Sequence, residues 1–544
     1  MTLRPKTATA LPLYVLCRGA QRLRAFRRDD NGTMTYPTIA FLLMMLGIGG
    51  LGVDFMRMER DRTHLQATLD RAVLAAADLD QTLDGKLVVQ DYLNKAGLGE
   101  YYSAENVVVD DETLGRKSVS ASVEATFEAH LLKFSNGSDM PIYAASTAEE
   151  SIDNLEISLV LDVSGSMRGT RLSNLKVAAK DFIETMVANT EDGKMSVSIV
   201  PYATQVSVSD NLMAQFTTTG VNAFANCINF ASSDFNTTAM PLSATYERTM
   251  HFDPWYRSRQ TPLGNQHINN EVCDTLNSRE ALVMEKDETT LKNFIENLSA
   301  WGNTSIDIGM KWGTALLDPS TQPAIAALST GPDVPSVFSN RPFAHNDPDA
   351  DTLKIVVLMT DGQNTSQYFI EPPYRSGASD VFYDTRRTDY RGLSLYDEDR
   401  SSRRYYQRYT GDWESQPRGE TSSNNYAVRL SYPDLFAYTS LQYVRDRIYD
   451  NAYYYSWEGN DFYGRALSSH GNWTKNNRTK AICDTAKAQG IVVYTIGFEA
   501  PYDGRAVLRD CASTDAHFYD VEGLEIKEAF KSIATSIRQL RLTQ

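Results

Sequence analysis

The sequence predicts an α/β protein: a doubly wound, mostly parallel sheet with large insertions, preceded by one transmembrane helix and a small β-rich module. Three observations lead there. Beyond residue 150, short apolar runs such as Leu155–Leu161 and Lys354–Met359 alternate with helical patterns, the rhythm of parallel strands buried on both faces. Between residues 85 and 150, apolar and polar side chains alternate one by one, as in half-buried strands. From Asn31 to Val53 no residue is charged, and Ile39–Leu51 is almost wholly apolar or glycine; about 20 such residues cross a bilayer core as a helix.

Residues 1–30 form a basic tail, with Arg4, Lys6, Arg18, Arg22, Arg24, Arg27 and Arg28 against Asp29 and Asp30, a net of +5 in a chain of formal charge −16. The body beyond it is therefore at −21, repels phosphate backbones, and makes nucleic acid a poor partner. The positive-inside rule places the tail in the cytoplasm and the bulk outside. A retained anchor is expected over a cleaved signal peptide. The apolar run exceeds a usual h-region, and Val53-Asp54-Phe55-Met56-Arg57 lacks a small-x-small cleavage pattern.

Residues 31–84 read as this helix continuing unbroken into an amphipathic one, because Met58, Leu65, Leu69, Ala72, Val73 and Ala76 recur at helical spacing. That stripe packs either on the chain's own next domain or in a bundle with membrane partners. Residues 85–152 read as the β-rich module, with strands at Asn106–Val109, Ser118–Glu128 and Ile142–Ser146 and a turn at Ser135–Ser138.

Residues 153–544 carry the sheet. Strands are expected at Leu155–Leu161, Met195–Tyr202, Lys354–Met359, Ile491–Phe498 and Phe518–Val521. Helices are expected at Leu172–Ala188, Thr290–Leu298, Ser305–Leu317, Thr479–Gln489 and Leu524–Leu540. Insertions at about 207–285 and 366–475 interrupt the rhythm. The second holds 17 of the 29 tyrosines and a helical pattern at Tyr432–Tyr455. Its tyrosines serve either a protein contact or the insertion's own core. Cys17 falls on the cytoplasmic side. Cys227, Cys273, Cys483 and Cys511 fall in an oxidising compartment, where three pairings are open and nearest-neighbour pairing, 227–273 and 483–511, is expected.

The chemistry-bearing string is Leu159-Val160-Leu161-Asp162-Val163-Ser164-Gly165-Ser166-Met167. A buried strand ends in Asp-x-Ser-x-Ser, and in a doubly wound sheet that turn faces the ligand crevice. Asp162, Ser164 and Ser166 offer the hard oxygens that Mg²⁺ or Ca²⁺ accepts. Two companions follow in order: Thr304, in Trp301-Gly302-Asn303-Thr304-Ser305 before a helix, and Asp361, in Val357-Leu358-Met359-Thr360-Asp361-Gly362 at the end of a second buried strand.

This set resembles the metal-ion-dependent adhesion site of von Willebrand factor type A (vWA) domains, over about residues 153–544 less the insertions. The resemblance implies that Asp162, Ser164, Ser166, Thr304 and Asp361 are metal ligands, for Mg²⁺ or else Ca²⁺ or Mn²⁺. The hydroxyls would bind directly, and the carboxylates, Asp361 above all, through water. It further implies a protein partner that offers an acidic side chain to the metal.

Arg27-Arg28, Asn31-Gly32-Thr33, Gly49-Gly50-Leu51-Gly52-Val53-Asp54 and Leu65-Gln66 look like TadE/TadG-type proteins of the bacterial tight-adherence (Flp/Tad) pilus assembly system. That resemblance implies single-pass anchorage in the bacterial inner membrane, the bulk being periplasmic, with pilus-assembly or envelope proteins as partners. Pilin-like members carry a Glu five residues after a processing Gly, where this chain has Pro37 after Gly32, so a permanent anchor fits better than processing. Two functions follow: a pilus-assembly or envelope scaffold, or a surface adhesin acting on a host or matrix ligand. An enzyme is not expected, since no Ser-His-Asp set, nucleotide loop or paired carboxylate cluster is evident.

Overall fold

The computed structural model describes residues 34–78, 81, 83–110, 116–129, 140–151, 154–220, 222–256, 260–261, 267–268, 272–273, 277–345, 352–453 and 457–540. The basic tail with Cys17 and Gly32, and the expected turn at Ser135–Ser138, lie outside the described residues. The chain divides into two compact units, one of residues 1–112 and 117–150, the other of 113–116 and 151–544.

In the first unit, one helix of 43 residues, α1 (Thr35–Ala77), joins the apolar run to the amphipathic stretch without a break. At 1.5 Å per residue it is about 65 Å long, long and apolar enough to cross a membrane. Its N-terminal side chains face outward; Phe41 and Met45 are exposed. Its later stripe, Leu65, Leu69, Ala72, Val73 and Ala76, is buried. The stripe packs on the unit's own module, against Val88, Val89 and Leu93 of α2 (Gly85–Lys95) and Val107, Val119, Ala121 and Ile142 of a three-stranded sheet. That sheet comprises β1 (Val107–Asp110), β2 (Arg116–Phe127) and β3 (Met140–Ser151), in that order. Helix α2 precedes the three strands of the β-rich module and was not expected from the sequence. Asp84 caps it, its carboxylate accepting from the Lys86 amide at 2.7 Å, which satisfies an otherwise orphan N–H.

In the second unit a six-stranded sheet is built from β4 (Asn154–Asp162), β5 (Met195–Tyr202), β6 (Leu282–Glu285), β7 (Thr352–Thr360), β8 (Val492–Phe498) and β9 (Phe518–Val521). Their order is β9-β8-β7-β4-β5-β6. All neighbours pair in parallel except β6, which runs antiparallel to β5 at the edge. Strand β6 comes from inside the stretch assigned to the first insertion.

Helices cover both faces. Leu155, Ile157, Leu159 and Leu161 bury on one side against α3 (Thr170–Ala188), α4 (Glu288–Asn297) and α8 (Glu525–Leu540). Val160, Val200, Val356 and Val493 bury on the other, against α5 (Ile306–Ala315), α6 (Asn472–Ala488) and α7 (Tyr502–Cys511). Helix α5 lies so close to the sheet that a Cβ at Gly309 would stand 2.7 Å from the Tyr202 ring, and one at Gly313 would overlap Val160. Disulfides join Cys227 to Cys273 and Cys483 to Cys511, the second linking α6 to the end of α7.

The second insertion has a structure of its own. It folds into a five-stranded antiparallel sheet spanning Ala378–Ser431. The expected helix Tyr432–Tyr455 breaks after Tyr438, where Thr439 turns extended (φ −136°, ψ 136°), and restarts at Leu441. Tyr383, Tyr406 and Tyr443 are buried with Leu395, Leu435 and Phe436, together with Met250, Phe252 and Val272 from the first insertion. The two insertions therefore share one core.

Candidate functional site

The register of the sheet brings the motif residues to one rim. Leu161 lies beside Met359 in β7 and Asp162 beside Tyr202 in β5, so the chain leaves β4 and β7 at the same level. Strand β4 ends in Asp162, whose Oδ1 accepts from the Ser164 amide at 2.7 Å. This Asx-type bond curls the turn so that Ser164 and Ser166 stand together, their Oγ atoms 3.0 Å apart. Ser166 Oγ donates to Asp361 Oδ1 at 2.7 Å, across 195 residues of sequence. Thr360 Oγ1 donates to Asp162 Oδ2 at 2.5 Å.

Thr304 arrives on a third loop. The Gly302 carbonyl accepts from the Gly165 amide at 2.9 Å, and φ of +87° at Gly302 turns the chain back toward the rim, a conformation that favours glycine. Among the described residues no hydrogen bond joins the Thr304 hydroxyl to the serines or carboxylates. Its closeness shows at Gly362, where a Cβ would stand 3.6 Å from Thr304 Oγ1 and 3.9 Å from Ser166 Oγ. All five expected residues thus gather around one point. Asp162, Ser164, Thr304 and Asp361 are buried, and Ser166 opens to solvent.

The electrostatics favour a cation there. Burial, and then the charge of Asp361, push the Asp162 carboxyl up to about 7; burial raises Asp361 as well, opposed by Ser166 and the Arg171 guanidinium. Two carboxylates drawn from water beside each other favour any positive charge that joins them. Among the described residues no three His, Cys, Asp or Glu side chains cluster as metal ligands, so a metal at this rim would draw on hydroxyls. Two carboxylates and three hydroxyls are an all-oxygen set that fits Mg²⁺, Mn²⁺ or Ca²⁺.

Arg171 is a neighbour that the motif alone does not announce. Its Nη1 donates to Asp361 Oδ2 at 2.9 Å and its Nε to Glu499 Oε2 at 2.8 Å. It lies five residues beyond Ser166, in the first turn of α3. The rim also carries Arg168, whose guanidinium sits 4.1 Å from the Trp301 ring centre, and Tyr256, stacked on Trp301. The site is a rim, not a cleft. A cavity of about 640 Å³ lies elsewhere, between Phe230, Lys311, Gln367 and Arg478.

Residues 32–79 match the model of the putative Flp pilus-assembly TadE/G-like family, a stretch that contains α1. No curated protein matches the chain significantly. Among solved structures, the vWF domain of the type V pili tip protein Mfa5 from Porphyromonas gingivalis is 14% identical, with 71% of this chain and 96% of that one covered and a TM-score of 0.30. The pilus adhesin SpaC from Lactobacillus rhamnosus GG, in its open conformation, is 11% identical, with 80% of this chain covered and a TM-score of 0.29; the match spans 33% of SpaC. The adhesive tip pilin GBS104 from Group B Streptococcus agalactiae is 11% identical, with 71% and 100% covered and a TM-score of 0.29.

Proposed function

We propose that the second unit is a vWA-type domain, with a doubly wound sheet, and that the chain is a membrane-anchored, metal-dependent protein-binding scaffold of Flp/Tad-type pilus assembly. The observation that carries this reading is the meeting of Asp162, Ser164, Ser166, Thr304 and Asp361, from three separate loops, at the carboxyl ends of adjacent parallel strands. Asp162, the two serines, Thr304 and Asp361 hold a divalent cation, with Mg²⁺ the first choice. Bound there, the ion supplies a Lewis-acidic position that a partner's Asp or Glu carboxylate can fill. Arg171 fixes the orientation of Asp361, and the exposed Arg168 with Trp301 and Tyr256 forms the surface beside it. The TadE/G-like stretch supports the pilus-assembly setting. Helix α1 anchors the chain in the inner membrane with its N-terminus cytoplasmic and the bulk of the chain beyond the membrane-spanning segment outside. No catalytic role is assigned.

The test is a pull-down from detergent-solubilised membranes with Mg²⁺ or with chelator, using wild type and Asp162→Ala with Ser164→Ala. Pilus-assembly or envelope proteins should be captured by wild type in Mg²⁺ alone. Equal capture in chelator, or by the double variant, would refute the metal-dependent role.

A further inference from the structure

Lys475 is a charge in an unusual place. It sits in the first turn of α6, fully buried, and its Nζ spends all three protons on the loops behind the rim: on the Thr304 carbonyl at 2.7 Å, Ser305 Oγ at 2.6 Å and the Thr365 carbonyl at 2.7 Å. Beside it lies Asp307, also fully buried, 4.0 Å from Lys475 Nζ and 3.9 Å from Arg478. Among the described residues no side chain donates a hydrogen bond to either Asp307 carboxylate oxygen; the amides of Ile308 and of Asp307 itself favour its charge. Such an ion pair is a poor way to stabilise a fold, because desolvation offsets the attraction and apolar residues of similar volume serve as well or better. Its value has to lie in what it positions.

What it positions is the Thr304 loop. The Thr304 carbonyl also accepts from the Thr365 amide at 3.0 Å, and the Thr304 amide donates to Thr365 Oγ1 at 2.9 Å. Asn364 Oδ1 accepts from the Ile306 amide at 2.8 Å, while its Nδ2 reaches Asn476 at 2.9 Å and Thr479 at 3.2 Å. The Tyr-rich insertion leaves the sheet just after Thr365 and returns just before Lys475, its ends paired from Gln367↔His470 to Ile370↔Leu467. One ammonium thus ties both ends of the insertion to the loop that carries Thr304.

We propose that Lys475 is a positioning residue for the candidate cation site, holding Thr304 at the rim and locking the root of the Tyr-rich insertion to it. This rests on the metal reading above. Loss of a residue that orients a ligand without touching the metal costs roughly 10–100-fold in metal affinity.

The experiment uses the full chain in detergent with Mn²⁺ alone as the probe, its affinity read by electron paramagnetic resonance and the thermal midpoint read in chelator. Lys475→Met with Asp307→Asn removes the pair together. Lys311→Met is the matched control: Lys311 is equally buried and donates to the Thr237, Thr238 and Ala239 carbonyls of the first insertion. Both variants should melt earlier, but only the first should lose Mn²⁺ affinity, by roughly 10–100-fold. Lys475→Gln, which retains a donor, should fall between it and wild type, and decides the matter if the double variant does not fold. Wild-type affinity in the Lys475 variants, or an equal loss in Lys311→Met, overturns the positioning role. Absence of Mn²⁺ binding by wild type itself overturns the metal reading, and this one with it.

Discussion

Gly504 offers a sharp test of how the rim is held. It lies in the first turn of α7, where alanine would ordinarily stabilise a helix by about 0.5–1 kcal/mol. Here a Cβ would overlap the Gly362 carbonyl oxygen and stand 3.0 Å from its carbon and 3.5 Å from Gln363 Cα. The obstacle is backbone, not the end of a flexible side chain, so either α7 or the Asp361–Gly362 turn must move. Overpacking of this kind costs about 1–3 kcal/mol. Gly464, in the helix Trp457–Ala466, has nothing within 4 Å of its would-be Cβ and reports the helix term alone. Both changes share the helix term, so Gly504→Ala should be less stable than Gly464→Ala by the overpacking cost alone, about 1–3 kcal/mol in urea unfolding with chelator. Because the displaced turn carries Asp361, Gly504→Ala should also weaken Mn²⁺ binding by roughly tenfold or more, while Gly464→Ala leaves it alone. If Gly504→Ala gains stability as Gly464→Ala does and binds Mn²⁺ as wild type, the close approach of α7 to the rim is not what holds the turn.

Two further outcomes are expected. Burial, aided by the charge of His267, brings His251 down to about 4, against about 6.5 in an unfolded chain. The unfolded state then binds more protons between these values, so stability should be full above pH 6.5 and fall toward pH 4 by about 3 kcal/mol from this residue. His251→Phe should flatten that slope in urea midpoints taken from pH 4.5 to 7.5; burial also lowers His470 to about 4, which leaves a residual slope. At the opposite end of the sheet, buried Arg341 donates to the Leu155 and Lys194 carbonyls and lies 3.7 Å from buried Glu156. Arg341→Met should cost about 3–5 kcal/mol, and Arg341→Lys should recover little, since an ammonium cannot reproduce the fork.

The buried strands were legible because Leu155–Leu161 and Lys354–Met359 are nearly continuous apolar runs, interrupted only by Glu156, Ser158 and Lys354, and each is followed by polar residues placed for chemistry. Asp162, Ser164, Ser166 and Asp361 follow those strand ends and Thr304 precedes a helix, and it is the resemblance to the vWA adhesion site that names the five together as candidate ligands. What surrounds them was hidden for physical reasons. Lys475 and Asp307 lie 4.0 Å apart across 168 residues of sequence, and no local pattern announces such a pair. Helix α6 begins at Asn472, seven residues ahead of the periodic signal at Thr479, because its first turns bury Lys475 and Arg478 instead of apolar groups. The sheet of the second insertion was hidden by the shortness of its strands, three to seven residues each, which leaves Val381, Tyr383, Leu393, Leu395, Tyr406 and Leu430 too few to a strand for a sustained alternation.

The shared core of the insertions also bears on how such a chain can vary. Gln367 pairs with His470, so 102 intervening residues begin and end on neighbouring rungs, and excision there would leave the parent sheet continuous. Yet Phe252, fully enclosed, owes its cover to side chains from that same excised piece. Deleting one insertion would strip the other and leave a sticky apolar face. The two should therefore be gained, lost or exchanged as a couple, a single appendage threaded twice by the chain.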